Sequence, residues 1–190
     1  GDARKAGREG DATLALSEFS STAPAVIRKR DGIPIYAGGD DVLAFLPLDT
    51  ALDCAVELRR SYVERFRTQL GVTFARRATI SAGIVYANYH LPLRTVLATA
   101  HDLLDQVAKD ATGRDSLAVG VFKSSGVICQ WSAPWEFLLE VVPNRIADLV
   151  GTLQKSQSRD PRLAEFSTSF LYNVRDRFAS LTGDPLVEPG

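Results

Sequence analysis

The stretch that most constrains how this chain can fold is Ile33–Leu48, reading I-P-I-Y-A-G-G-D-D-V-L-A-F-L-P-L. Two apolar runs, Ile33–Ala37 and Val42–Leu46, flank the four-residue tip Gly38-Gly39-Asp40-Asp41. Short apolar runs divided by Gly-Gly predict a β-hairpin, because glycine reaches the positive φ values that tight hairpin turns require. The acidic pair at the tip sets this hairpin apart. Two adjacent carboxylates repel and each needs water or a cation, yet the runs beside them are apolar enough to be core. Glycines without Cβ let a ligand's backbone or phosphates come close, and hard carboxylate oxygens suit Mg²⁺. The stretch therefore reads as a surface hairpin with a soluble tip or as a metal-dependent nucleotide site.

Bulk properties narrow the setting. At 190 residues the chain holds one domain of ordinary size plus a smaller appendage. A hydrophobic content of 45% with 24% charged residues is that of a globular protein. The net charge of −1 gives no global argument for nucleic-acid or membrane affinity, so any such contact must be local. No apolar run approaches the roughly 18 residues that span a bilayer, and no signal peptide opens the chain. Cys54 and Cys129 make neither a disulfide framework nor a zinc site, so a reducing cytoplasm is the expected location. With no methionine and a start at Gly1, an excised or processed piece is expected. Arginine outnumbers lysine seventeen to five, which draws attention to each lysine.

Taken in order, Gly1–Gly10 lacks periodicity and is expected to be a flexible lead-in. A helix is expected from Asp11, its cap, through Leu14, Ala15, Phe19, Val26 and Ile27, with Pro24 as a kink and Arg28-Lys29-Arg30 before the Gly32 stop. After the hairpin, Asp49 should cap a helix running to about Leu70, with Gly71 as its stop. Its residues Leu52, Ala55, Val56, Tyr62, Val63 and Phe66 follow helical spacing. Ala78–Tyr86, small and β-branched, predicts a strand buried on both faces. Pro92 opens another helix at its first position, with Leu93, Val96, Leu97, Ala100, Leu103, Leu104 and Val107 as its expected buried stripe. The strand Ser116–Lys123, a turn at Ser124-Ser125-Gly126 and a shorter edge strand Val127–Trp131 follow. Trp135–Leu153 and Leu163–Leu181 read as amphipathic helices, and Gly183–Gly190 as a frayed end. The expected organisation is a lead-in (1–10), an α+β domain (11–133) with an antiparallel sheet and helices on one face, and a small helical segment (134–190).

A Gly-Gly-Asp-Asp hairpin followed by helix, strand, helix and strand resembles the ferredoxin-like palm of nucleotide cyclases and polymerases. Ala108-Lys109, continuing to Gly113-Arg114-Asp115, resembles the A-K-x-x-G-R-[ND] signature shared with GGDEF diguanylate cyclases. The tip here is Gly-Gly-Asp-Asp, however, not Gly-Gly-Asp/Glu-Glu-Phe. The segment I-Y-A-G-G-D-D-V-L-A-F-L-P-L is similar to the large subunit of type III CRISPR effector complexes. Leu117–Trp131, with V-F-K-S-S-G and then a Trp, resembles the Cmr branch, and Ser169-Phe170-Leu171-Tyr172 the start of its next helical domain.

That resemblance implies an oligoadenylate cyclase, which joins ATP 3′ to 5′ into cyclic oligoadenylates when a guide-bearing complex captures target RNA. It implies Asp40 and Asp41 as the catalytic, metal-binding pair for Mg²⁺ or Mn²⁺. Gly38 and Gly39 match the glycines that admit the nucleotide, and Lys109 the lysine near its phosphates. Implied partners are ATP, guide CRISPR RNA, target RNA and other effector subunits, with no membrane. The family also places a metal-binding Asp on a first strand ahead of the first helix. No such strand is legible before Asp11, unless Asp2 is its ragged end, so the chain reads as a palm lacking its first strand.

Forming a phosphodiester requires an activated 3′-hydroxyl and neutralised charge on phosphorus and pyrophosphate, which two Mg²⁺ ions roughly 4 Å apart provide. Lys109 reads as a phosphate contact or as a favourable cation at a helix C-terminus. Ser81 reads as a ligand contact or as a satisfied hydroxyl in a core strand. Tyr36 reads as core or as adenine-side packing. Arg114-Asp115 reads as a local ion pair, Arg59-Arg60 and Arg76-Arg77 as solvated charge or a surface for RNA or a subunit, and His90 and His101 as structural or solvated. Two rivals stand beside the cyclase: a nucleotide-binding scaffold subunit without turnover, and a diguanylate cyclase, which would want Glu-Phe after the Asp.

Overall fold

The computed structural model describes residues 2–123 and 126–141. Helix α1 runs Asp2–Lys29, with Gly10 and Pro24 inside it. The expected lead-in and the cap at Asp11 are thereby corrected. Ala3, Arg4, Lys5 and Ala6 are strong helix formers, and the two interior glycines, Gly7 and Gly10, cost only about 1 kcal/mol each. Asp2 opens a helix rather than ending a strand, and no strand precedes Ile33 among the described residues. Ala15, Phe19, Ala23 and Ile27, four residues apart, are fully buried on one face of α1.

The hairpin forms as expected, from β1 (Ile33–Gly38) and β2 (Asp41–Phe45). Its tip is tighter than the four residues expected: Gly38 pairs with Asp41, leaving Gly39-Asp40 as the turn. Gly39 has φ of 61°, and glycine with positive φ at the first turn position suits a type II′ hairpin, whose twist matches the strands beside it. The register slips between Pro34 and Tyr36, next to a proline that has no N–H for the ladder.

Helix α2 (Ala51–Leu70) starts after Thr50, not Asp49, and Gly71, with φ of 85°, stops it as expected. The Thr50 hydroxyl donates to the Arg30 carbonyl at 2.9 Å instead of capping the helix. Phe19 meets Tyr62 of α2 edge-on at 5.1 Å, and these two join Ala23 in a core cluster beneath Ala37 and Val42 of the hairpin. Arg30 adds ion pairs to Glu57 at 2.8 Å and Asp53 at 3.3 Å, beside Lys29–Glu57 at 3.3 Å. Hydrogen bonds from Arg30 and then Lys29 hold the Glu57 carboxyl below its ordinary value.

The short helix α3 (Val72–Ala75) leads to β3 (Ala82–Ala87), and α4 (Leu93–Asp102) continues as a π-wound stretch, Leu103–Ala111. Strands β4 (Ser116–Lys123) and β5 (Gly126–Pro134) complete a three-stranded sheet in the order β3-β4-β5. The α+β palm class is as expected, with three corrections. Strand β3 starts at Ala82 rather than Ala78, because its partner register begins at Ala82 opposite Leu117. It runs parallel to β4, so the sheet is mixed. Strand β5 is longer than expected, its register with β4 extending to Ser116 opposite Pro134.

The helices do not share one face of this sheet. Ala82, Ile84, Leu117 and Val119 pack towards Leu52, Ala55 and Val56 of α2. Alternate residues Val85 and Ala118 pack towards Leu103 and Ala108. Gly83 belongs to the second face: a Cβ there would lie 2.9 Å from the Ala100 carbonyl oxygen and 3.1 Å from the Leu104 nitrogen. Backbone cannot swing aside, so Gly83→Ala is expected to destabilise the protein by about 1–3 kcal/mol. Gly10→Ala, with open space around it, should stabilise by up to about 1 kcal/mol. Urea titration of both variants checks the contrast.

The core continues past Pro134, where the sequence suggests a boundary. Trp135 and Leu138 are buried with Leu117 and Ala133, and the Trp135 indole N–H donates to the Ile80 carbonyl at 2.8 Å. A short π-wound turn, Phe137–Val141, follows. The turn expected at Ser124-Ser125 and the helical segments expected beyond Val141 lie outside the described residues. No helix among the described residues is long and apolar enough to cross a membrane, and Cys54 and Cys129 are free thiols.

Candidate functional site

The five strands form two separate sheets, β1-β2 and β3-β4-β5. Strand β2 pairs with β1 and β3 with β4, and each leaves its other edge without a strand partner among the described residues. Between them lies a cavity of about 1090 Å³, lined by β2 from Asp41 to Phe45, by Thr79–Ala87, and by Ala51, Ala55, Leu58 and Arg59 of α2. Its size matches the upper range of small-molecule sites, and its walls are mostly apolar.

The structure draws four of the sequence-derived candidates to this cavity: Asp40, Asp41, Ser81 and Lys109 all line it. Asp40 sits in the hairpin turn and Asp41 at the first position of β2, both exposed. Successive strand residues point to opposite faces, and the turn is what lets the two carboxylates share one cavity. Asp40 also makes itself felt at Tyr62, whose phenol is pushed above its ordinary value by burial and then by that carboxylate.

Gly38 and Gly39 are at the tip. A Cβ on Gly38 would meet the Tyr36 hydroxyl oxygen at 2.5 Å, whereas Gly39 faces open space. Gly38 thus makes room for the Tyr36 ring, which is exposed rather than core. Ser81 lies just before β3, half-buried, not within a strand as the sequence suggests. Lys109 lies two residues from the end of the π-wound stretch, and its ammonium donates to the Asp105 carboxylate at 2.7 Å. That hydrogen bond, then the charge of Lys109, holds the Asp105 carboxyl below its usual value.

Two residues read from sequence as surface features belong here instead. Arg114 lines the cavity, and Asp115 pairs not with it but with Arg59, at 3.0 Å. Arg59, expected to be solvated, also lines the cavity. The signal for Arg59 was its spacing: four residues after Ala55 and three before Tyr62, it falls on the apolar face of α2. His101 stands at the cavity and is exposed, whereas His90 stacks on Tyr89 at 3.8 Å.

Among the described residues no cluster of three or more His, Cys, Asp or Glu side chains could enclose a metal. The hairpin brings an open pair of exposed carboxylates, Asp40 and Asp41, to the cavity, and a third, Asp105, lines it paired with Lys109. That fits Mg²⁺ or Mn²⁺, since Mg²⁺ in phosphate sites takes one or two carboxylates and completes its octahedron with water and phosphate oxygens. It does not fit a closed structural zinc site.

The Cas10/Cmr2 second palm domain family matches residues 3–118, more than half of the chain. The chain belongs to the Cas10/Cmr2 second palm domain family. It is 39% identical over 124 residues to the CRISPR system Cmr subunit Cmr2 of Pyrococcus furiosus, covering 65% of this chain and 14% of that protein. It is 34% identical over 96 residues to the CRISPR system CMR subunit Cmr2 of Saccharolobus solfataricus, covering 43% of this chain and 9% of that protein. The chain thus spans about one seventh of the length of the first of these relatives. The resemblance to the Cmr branch of the large-subunit family is borne out, and the matched range holds the hairpin, Ser81, Lys109 and Arg114.

Proposed function

We propose that this palm is the nucleotide-joining part of a cyclic oligoadenylate synthetase, which converts ATP to 3′–5′ linked rings within a CRISPR Cmr effector complex. The supporting observation is convergence: Asp40 and Asp41 from the hairpin and Lys109 and Arg114 from 70 residues further on line one cavity. Carboxylates for a divalent cation and cations for phosphates are the two halves of a nucleotide triphosphate site. The relatives are named as Cmr subunits. Guide RNA, target RNA and further subunits accordingly belong to the proposal, as does a cytoplasmic location.

When bound, Mg²⁺ supplies Lewis-acid neutralisation of phosphate charge. The chain's own residues bind and orient. Asp40 and Asp41 hold hard-oxygen positions on the ion. Lys109 and Arg114 meet phosphate oxygens, Ser81 offers a hydroxyl from the opposite wall, and the apolar flanks of β2 and β3 exclude water around the bases. Gly39, with open space where a Cβ would stand, lets the triphosphate approach the hairpin backbone, while Gly38 seats the Tyr36 ring beside it.

Lys109 must exchange Asp105 for phosphate. An exposed i,i+4 pair stabilises by roughly 0.3–0.5 kcal/mol, so Asp105→Asn is expected to bind Mg-ATP about twofold tighter, with the gain shrinking at high salt. Equilibrium titration measures it, and unchanged or weaker binding would argue that Lys109 does not contact phosphate.

The direct test incubates the full-length protein, alone and in an RNA-loaded complex, with ATP and Mg²⁺ and resolves the products by mass spectrometry. Adenylate rings support the proposal. A second reading, a nucleotide-binding scaffold without turnover, draws on the exposure of both hairpin carboxylates, which leaves any ion at the tip loosely held. ATP bound by the RNA-loaded complex with no oligomer formed would favour it.

A further inference from the structure

The turn that carries Arg114 and follows Lys109 is strained. Gly113, Arg114 and Asp115 have φ of 90°, 70° and 43° in succession. Left-handed backbone is sterically disfavoured for a non-glycine residue, and such geometry persists only where the surroundings over-determine it. Here the surroundings can be named. The Asp115 carbonyl accepts from the Trp135 backbone N–H at 2.9 Å. The Asp115 carboxylate accepts from Arg59 Nη2 at 3.0 Å. The Arg59 guanidinium lies 5.9 Å from the centre of the Trp135 ring, and that indole is pinned to Ile80.

The Arg59 and Asp115 side chains are only 19% and 31% exposed, so the pair is sheltered from the screening that weakens surface ion pairs. It spans 56 residues of sequence and ties α2 to the entrance of β4. We infer that Arg59 is a positioning residue for the cationic end of the cavity. By clamping Asp115 it holds the Gly113–Asp115 turn, and with it Arg114 and the end of the helical stretch that carries Lys109, at the cavity that the hairpin carboxylates also line. The clamp is not a two-bond fork: Arg59 Nε and Asp115 Oδ1 are buried without a partner among the described residues. One N–H carries the contact, and a lysine can supply one.

The inference rests on the proposed nucleotide site for its consequence, but not for the clamp itself, so the experiment has two arms. In the full-length protein, hydrogen exchange of peptides covering Thr112–Leu117 is compared, without nucleotide, for wild type, Arg59→Ala, Arg59→Lys, Asp115→Asn and the Arg59→Ala/Asp115→Asn double variant. Mg-ATP affinity is measured on the same proteins. Loss of a coupled contact shifts local equilibria, so Arg59→Ala and Asp115→Asn should each speed exchange in this turn about tenfold and weaken Mg-ATP binding by a similar factor. The double variant should be no worse than either single one, and Arg59→Lys should stay close to wild type, with exchange in α1 unchanged throughout.

Unchanged exchange in the turn would overturn the inference, as would additive effects in the double variant. Loss of binding in Arg59→Lys with exchange intact would make Arg59 a direct ligand contact instead. If Arg59→Ala does not fold, Asp115→Asn carries the same comparison at near-constant volume. If wild type binds no Mg-ATP, the nucleotide reading falls, while the exchange arm still decides whether Arg59 holds the turn.

Discussion

Replacing Asp40 or Asp41 by alanine is expected to lower the proposed ring synthesis by at least about a hundredfold while leaving the fold intact. A divalent cation stabilises transition-state charge by several kcal/mol, and each 1.36 kcal/mol is a factor of ten in rate. Asp40 and Asp41 are the two hairpin carboxylates proposed to hold the ion, so loss of either should weaken that hold strongly. Stability should hardly move, because both side chains are exposed at a hairpin tip and such substitutions usually fall within about ±0.5 kcal/mol. Asp40→Ala also removes the carboxylate that raises the Tyr62 phenol, so that phenol should titrate lower. The measurement pairs product analysis by mass spectrometry with a urea midpoint for each variant. A variant making oligomers at the wild-type rate would remove the hairpin from the mechanism. A variant that unfolds would show the tip to be structural.

Trp135→Ala is expected to cost about 3–5 kcal/mol, the usual penalty for emptying a buried aromatic site. Trp135 is 1% exposed and touches the cluster that joins β4, β5 and α2. Its indole N–H holds the Ile80 carbonyl just ahead of β3. Trp135→Phe keeps most of the volume but leaves that carbonyl unpaired, and should cost about 1–3 kcal/mol. Denaturant titration of both separates packing from hydrogen bonding. If Trp135→Ala costs less than about 1 kcal/mol, the core ends at Pro134, as the sequence reading had it. A large cost would mean that truncation at Pro134 removes a core residue of the palm.

Much was legible without coordinates, and for definable reasons. The hairpin announced itself through Gly-Gly between apolar runs, because positive φ at Gly39 is a local requirement that only a few residue types meet. Helix α2 and its Gly71 stop followed from apolar spacing and from the same conformational freedom. Strand β4 was read at its observed limits from Ser116 to Lys123. Asp40, Asp41 and Lys109 were singled out because their residue types, in that order, resemble those of a known nucleotide-joining family.

What local sequence determined is the set of elements, since turn conformations and helical periodicity act over a few residues. What it could not determine is anything carried by distant partners. Strand β3 reads as starting at Ala78, but a strand exists only where another strand pairs with it, and β4 meets it from Ala82. Ser81 therefore stands outside the sheet, at the cavity. The partner of Asp115 reads as its neighbour Arg114, yet the strained turn carries Arg114 to the cavity and Arg59, from another helix, takes its place. Gly1–Gly10 reads as a lead-in and Pro24 as a kink, whereas α1 runs through Gly10 and Pro24 alike, because burial of Phe19, Ala23 and Ile27 against the core offsets a weak local preference. The sequence by itself determined which residues could do this chemistry; only the tertiary structure, through contacts between residues far apart in the chain, decided that they line one cavity.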